Sequence, residues 1–159
     1  MSLFLNTNLF LSTHVNRIDA KGRVSFPATF RQALAARNSQ GIVIFRSLIE
    51  PAVEGMTIER LQAMSAALDN LPPFAPQRAH FEKTIFGNSQ ELQVDKEGRC
   101  SLPKALLDEV GIAGEAAFLG CGSTFQIWEP GALARSKAEA AAAYTSGAAP
   151  FPTLPPGVL

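Results

Sequence analysis

The sequence predicts an α+β protein: two tandem β-turn-β-α-β modules sharing a small mixed, barrel-like core, with added helices between the modules and at the C-terminal end. Three observations predict it. The stretch Asp19-Ala-Lys-Gly-Arg-Val-Ser-Phe-Pro27 recurs as Asp95-Lys-Glu-Gly-Arg-Cys-Ser-Leu-Pro103, at an offset of 76 residues. Short apolar runs bounded by turn residues, such as Ile42-Val-Ile-Phe45, have the length of buried strands. Apolar residues spaced by three and four, as in Ile58, Leu61, Met64 and Leu68, mark a helix.

The repeat keeps Asp19/Asp95, Gly22/Gly98, Arg23/Arg99, Ser25/Ser101 and Pro27/Pro103 identical, and Val24/Cys100 and Phe26/Leu102 apolar. Two copies of this length point to a duplicated module, not a solenoid. Within the first copy, His14, Asn16 and Asp19 fall among Val15 and Ile18, a loose alternation suited to a half-buried strand. The aspartate can then accept backbone N–H groups, and Gly22 or Gly98 can take positive φ without steric cost. After the turn, Val24 and Phe26 point to one face while Arg23 and Ser25 point to the other. Pro27 and Pro103 suit the first helical position. The helices carry Phe30, Ala33 and Leu34 in one copy and Leu106, Leu107 and Val110 in the other, where Gly111 stands as a C-terminal cap.

In chain order, residues 9–53 form the first module, 54–88 the connecting helices, 89–131 the second module and 132–145 a C-terminal helix. Met1 to Phe10 reads as a loose entry segment. Leu48 to Val53, interrupted by Pro51, reads as a weak edge strand. Thr57 caps the first connecting helix, Leu71-Pro-Pro-Phe74 breaks it, and a second runs from about Ala75-Pro76 towards Gly87. Glu115–Leu119 and Ser123–Trp128 pair as a hairpin across Gly120-Cys-Gly122, and Pro130 opens an Ala-rich helix that fades near Tyr144. The Pro-rich tail, 146–159, is expected to be disordered or an extended arm.

A length of 159 residues, 47% hydrophobic and 18% charged, describes a globular chain whose halves are too small to be comfortable alone. Shared strands or oligomerisation should follow. No apolar run is long enough to span a bilayer, and Met1–Phe10 lacks a basic leader, so no membrane partner or signal peptide is expected and the compartment is cytoplasmic. Cys100 and Cys121 make no disulfide framework and read as small buried thiols. His14 and His80 lack metal-ligand spacing, and no phosphate-cradling loop occurs, so no enzyme, metal or cofactor is expected. The net charge of zero hides an asymmetry. Residues 1–46 hold six Lys and Arg against Asp19 alone, whereas residues 47–159 hold eight against thirteen acids. A basic first module suits a polyanion.

At these motifs the chain resembles the MraZ family, whose hallmark is a duplicated D-x-x-x-R element on the AbrB-like (SpoVT-AbrB) fold. Here that element is Asp19-x-x-x-Arg23 and Asp95-x-x-x-Arg99, joined by the closing segment Phe125-Gln-Ile-Trp-Glu129. The resemblance spans roughly residues 9–143. It implies two AbrB-like modules and a bacterial DNA-binding transcriptional regulator, nucleoid-associated and assembled into a ring-shaped homo-oligomer. It further implies control of the division and cell-wall gene cluster that encodes it, typically as a repressor, through repeated promoter boxes. The second turn departs from the first in carrying Glu97 where the first carries Lys21.

A two-stranded ribbon fits the major groove of double-stranded DNA, arginine bonds guanine in a bidentate way, and lysine and asparagine serve phosphates or adenine. The DNA-binding candidates are therefore His14, Asn16, Arg17, Lys21, Arg23 and Arg99, with Arg17 and Lys21 foremost. Asp19, Gly22, Asp95 and Gly98 shape the turns. Arg23 and Arg99 have two readings, DNA contact or pairing with Asp19 and Asp95. The first motif favours DNA, and the second favours turn-fixing or a subunit contact because Glu91 and Glu97 oppose an anion. The competing function is a self-assembling protein-interaction scaffold with no DNA role. Such a scaffold has no need to keep acids out of residues 1–46.

Overall fold

Each repeat folds as a strand, a glycine turn, a second strand and a helix, and the two copies complete one another's sheet. The computed structural model describes residues 7–148, 150 and 152–158. Strand β1 (Thr13–Arg17) leads through the first turn to β2 (Arg23–Ser25) and helix α1 (Ala28–Ala36). Strands β3 (Ile42–Arg46) and β4 (Ala52–Thr57) form a hairpin, followed by α2 (Ile58–Leu68) and α3 (Pro76–Thr84), and a 3-10 turn at Phe86–Asn88. The second copy supplies β5 (Gln90–Leu92), β6 (Arg99–Ser101) and α4 (Lys104–Glu109). The hairpin β7 (Glu115–Gly120) and β8 (Phe125–Trp128) and the long helix α5 (Pro130–Thr145) close the chain. The fold is α+β, as the sequence predicts. Among the described residues no helix is long and apolar enough to cross a membrane.

Six strands make one antiparallel sheet in the order β1-β7-β8-β4-β3-β5, and β2 and β6 form a separate two-stranded ribbon. Isolated bridges, Ile18 to Val24 and Val94 to Cys100, join this ribbon to the chain leaving β1 and β5. The core is thus barrel-like without a continuous closed ladder. The hairpin β7–β8 of the second copy is inserted between β1 and the β4–β3 hairpin of the first, and β5 of the second flanks β3, so the sheet is shared by both halves.

The core contains an aromatic cluster drawn from both halves. Phe26 and Phe30 follow the first turn, and Phe118 and Phe125 come from β7 and β8. Ring centroids lie 5.5 Å apart for Phe26 and Phe125 and 5.9 Å for Phe26 and Phe118, in the edge-to-face arrangement aromatic quadrupoles prefer. Phe10 joins them. Its backbone exchanges hydrogen bonds with Gly122, at 2.7 and 2.9 Å, so the end of the entry segment is a fixed part of the core. Residues 1–6 of that segment lie outside the described residues, as do positions 149, 151 and 159 of the tail.

Three expectations need correction. Pro27 and Pro103 occupy the N-cap, one residue before the helix, with ψ of 134° and 130°. Their extended ψ ends the strand, while Pro27 C=O accepts from Phe30 and Arg31. The strand expected over Leu48–Val53 begins only at Ala52 and lies inside the sheet between β3 and β8. Pro51 sits in the preceding turn, where its missing N–H removes nothing from the ladder. Cys100 is buried as expected, and burial pushes its thiol up to about 12; Cys121 is exposed, because the hairpin turn carries it outward.

Candidate nucleic-acid interface

Asp19 builds the first turn by accepting backbone hydrogens with one oxygen. Its Oδ1 takes the N–H of Lys21 and of Arg23, both at 2.9 Å, while Oδ2 takes Arg23 Nε at 2.8 Å. Gly22, at φ +79°, lets the chain double back into β2. The second turn repeats the design. Asp95 Oδ1 takes the N–H of Glu97 and Arg99 at 2.9 Å each, and Gly98 also has φ +79°. The backbone N–H of Arg23 holds the Asp19 carboxyl below its usual range, helped by the Arg23 guanidinium and the Lys21 N–H. The N–H of Arg99 does the same for Asp95.

The two turns are locked to each other. In the β2–β6 ribbon, Val24 faces Cys100, Arg23 faces Ser101 and Ser25 faces Arg99. Reciprocal bonds extend it, with Phe26 N–H donating to Gly98 C=O at 2.9 Å and Leu102 N–H donating to Gly22 C=O at 3.1 Å. Val24 and Cys100 are buried, which turns Arg23, Ser25, Arg99 and Ser101 to the opposite face. Arg23 and Arg99 stand diagonally across the ribbon, a relation that places Cα atoms about 7–8 Å apart.

The six candidate contacts divide by how their side chains are engaged. Arg17 and Lys21 are exposed and form no ion pair among the described residues. Arg23 is tied to Asp19 at 2.8 Å. Arg99 is held more loosely, its Nε 3.6 Å from Asp95 Oδ2, buried and without a hydrogen-bond partner among the described residues. Asn16 donates its amide to Ser25 C=O at 2.9 Å and so braces β1 against β2. His14 packs its ring edge-on to Phe30 at 5.5 Å and stands 3.3 Å from Thr29 Oγ1. The structure therefore places Lys21, Arg23 and Arg99 on the turns and the ribbon, leaves Arg17 exposed at the end of β1 opposite Glu115 of β7, and directs Asn16 and His14 inward.

Other cations of the basic half serve the fold. Arg37 donates to Asn8 C=O at 2.6 Å and lies over the Phe10 ring. Arg46 donates to Ser47 C=O at 2.7 Å and to Glu50 C=O. Two further cations stand at the second turn, and reading the sequence for ribbon residues misses both. Lys96 is exposed on the turn itself, where the first copy has Ala20. Arg31 reaches across from α1, its guanidinium lying against Gly98. Comparing the copies position by position would have found Lys96. Nothing local marks Arg31.

These features define a duplicated strand-turn-strand protein whose two Asp-x-x-x-Arg turns close the opposite ends of one two-stranded ribbon. Residues 85–147 match the family model described as "MraZ protein, putative antitoxin-like". The chain is 42% identical over 132 residues to the transcriptional regulator MraZ of Pelagibacter ubique (strain HTCC1062), covering 83% of this chain and 85% of that protein. It is 40% identical over 133 residues to the transcriptional regulator MraZ of Gluconobacter oxydans (strain 621H), covering 82% and 81%. The corresponding protein of Parvibaculum lavamentivorans (strain DS-1 / DSM 13023 / NCIMB 13966) is 40% identical over 134 residues, covering 84% and 83%. The chain belongs to the MraZ family, a family of transcriptional regulators and not of enzymes.

Proposed function

We propose that this protein is a sequence-specific DNA-binding regulator that represses the division and cell-wall gene cluster encoding it, by binding repeated promoter boxes as a ring oligomer. The observation that carries the reading is the exposure of Arg17 and Lys21, without ion-pair partners among the described residues, beside a ribbon whose outer face presents Arg23 and Arg99. Lysine at a turn tip meets phosphates, and an arginine on a strand edge can reach guanine O6 and N7. The Asp19 and Asp95 clamps fix the turn backbones, so the cations need little reordering on binding. The protein then acts in the cytoplasm at the nucleoid.

Three or four cationic contacts per subunit bind DNA weakly at physiological salt. A ring carrying many such faces engages several boxes at once, and effective concentration supplies the affinity one face lacks. The overall neutrality of the chain is no obstacle, because residues 1–46 carry six Lys and Arg against Asp19 alone. Fluorescence anisotropy of the full chain on DNA from upstream of its own gene, beside a scrambled duplex, tests the reading. Preferential binding that weakens steeply with salt and is lost in a monomeric variant is expected. Salt-independent binding, or no preference between duplexes, would favour the protein-interaction scaffold instead.

A further inference from the structure

The pseudo-twofold relation between the turns is broken at Arg31. The 76-residue offset that maps Gly22 onto Gly98 maps Arg31 onto Leu107. Leu107 is buried and lines an open cleft of about 440 Å³ behind the first turn. Arg31 instead covers the second turn: a Cβ built on Gly98 would lie 2.8 Å from both Cζ and one terminal nitrogen of Arg31. The guanidinium of a first-module helix thus stands on the second module's turn. It forms no ion pair with Asp95 or Glu97 among the described residues.

Charge explains what this placement achieves. Arg17, Lys21 and Arg23 outweigh Asp19 and Glu115, the β7 residue opposite Arg17, around the first turn. Around the second, Lys96 and Arg99 meet three acids, Glu91, Asp95 and Glu97, and Gln93 stands where the first copy has Arg17. An acidic turn repels a polyanion. Arg31 offsets that excess and sets a cation directly on the turn. The antiparallel register sets the two turns at opposite ends of a ribbon whose outer face carries both Arg23 and Arg99, so a duplex laid along that face reaches the second turn as well as the first.

We propose that Arg31 is a DNA-phosphate contact that makes the second Asp-x-x-x-Arg turn a working part of the interface despite its acidic Glu97. The inference rests on the DNA-binding reading above and extends it to a residue outside the ribbon. A phosphate contact has a distinct signature. It releases about one counterion whatever the base sequence, so its loss weakens binding to every duplex alike, by about fivefold per engaged subunit near 0.15 M salt.

The test is anisotropy of the full chain on a labelled promoter duplex and a scrambled duplex across a salt series. Arg31→Met keeps the aliphatic stem over Gly98 and removes the charge, and Arg31→Lys keeps the charge. Arg17→Ala/Lys21→Ala serves as reference, and melting temperatures are recorded for each variant. The expected result is that Arg31→Met weakens both duplexes by a similar factor, makes the salt dependence shallower by about one in log–log slope per engaged subunit, and melts like the parent. Arg31→Lys should retain most of the binding. Parental binding by Arg31→Met, or a loss shared by Arg31→Lys that follows a lowered melting temperature, overturns the proposal and leaves Arg31 a packing residue. If the reference variant also binds like the parent, the DNA-binding reading itself fails, which is a separate result.

Discussion

Asp19 and Asp95 show how a single exposed carboxylate can set a backbone. Each accepts two backbone N–H groups and faces an arginine four residues on, and each titrates below the ordinary 3.8. A carboxyl whose folded pKa is depressed stabilises the fold fully above the unfolded pKa, and that contribution disappears as pH falls through the folded value. Neither turn should therefore change its contribution between about pH 6 and 8, and both should loosen below about pH 4. Melting temperature against pH checks this with Asp19→Asn/Asp95→Asn. The double variant should be less stable than the parent at neutral pH and should lose less on acidification. Equal acid sensitivity in the two proteins would show that other groups govern acid unfolding.

Gly55 governs packing at the scale of strands. It lies in β4 with Phe125 seated on it, and a Cβ there would come within 2.2 Å of the Phe125 ring. Gly55→Ala should destabilise by about 1–3 kcal/mol through overpacking. Gly41→Ala, where a Cβ meets nothing within 4 Å, should stay within about 0.5 kcal/mol of the parent. Urea unfolding of the two variants decides it, and equal midpoints would contradict the packing account. Much at this scale is legible in the sequence. The repeat shows the turns, the alternation of Val24 and Phe26 shows the buried face, and Thr57 caps α2 by accepting Arg60 N–H at 3.2 Å. What escapes is long-range. The interior position of β4 depends on β8, whose paired residues lie 70 to 76 positions on, and Pro51 beside the strand suggests an edge to any local reading. Arg31 escapes for the same reason, since its neighbour Gly98 belongs to the other copy.

The interleaving of strands makes the whole molecule the folding unit. Cleavage in the loop between α2 and α3 leaves β1 to β4 on one fragment and β5 to β8 on the other, and divides both the β2–β6 ribbon and the β1–β7 pair. Neither fragment alone should show a cooperative thermal transition by circular dichroism, and mixing them should restore one. A fragment that melts cooperatively by itself would contradict a shared core. The same interleaving couples fold to function, because a single core sets the spacing of the turns. Their pairing is visible only in three dimensions, although each turn can be read from its own nine residues.

The central claim is that the first-turn cations are the DNA-reading surface. The most direct measurement compares the parent with Arg17→Ala/Lys21→Ala on the promoter duplex as salt is varied. The account predicts much weaker binding, a salt dependence shallower by about two per engaged subunit in log–log slope, and an unchanged melting temperature. A double variant that binds the promoter with parental affinity and slope would contradict it.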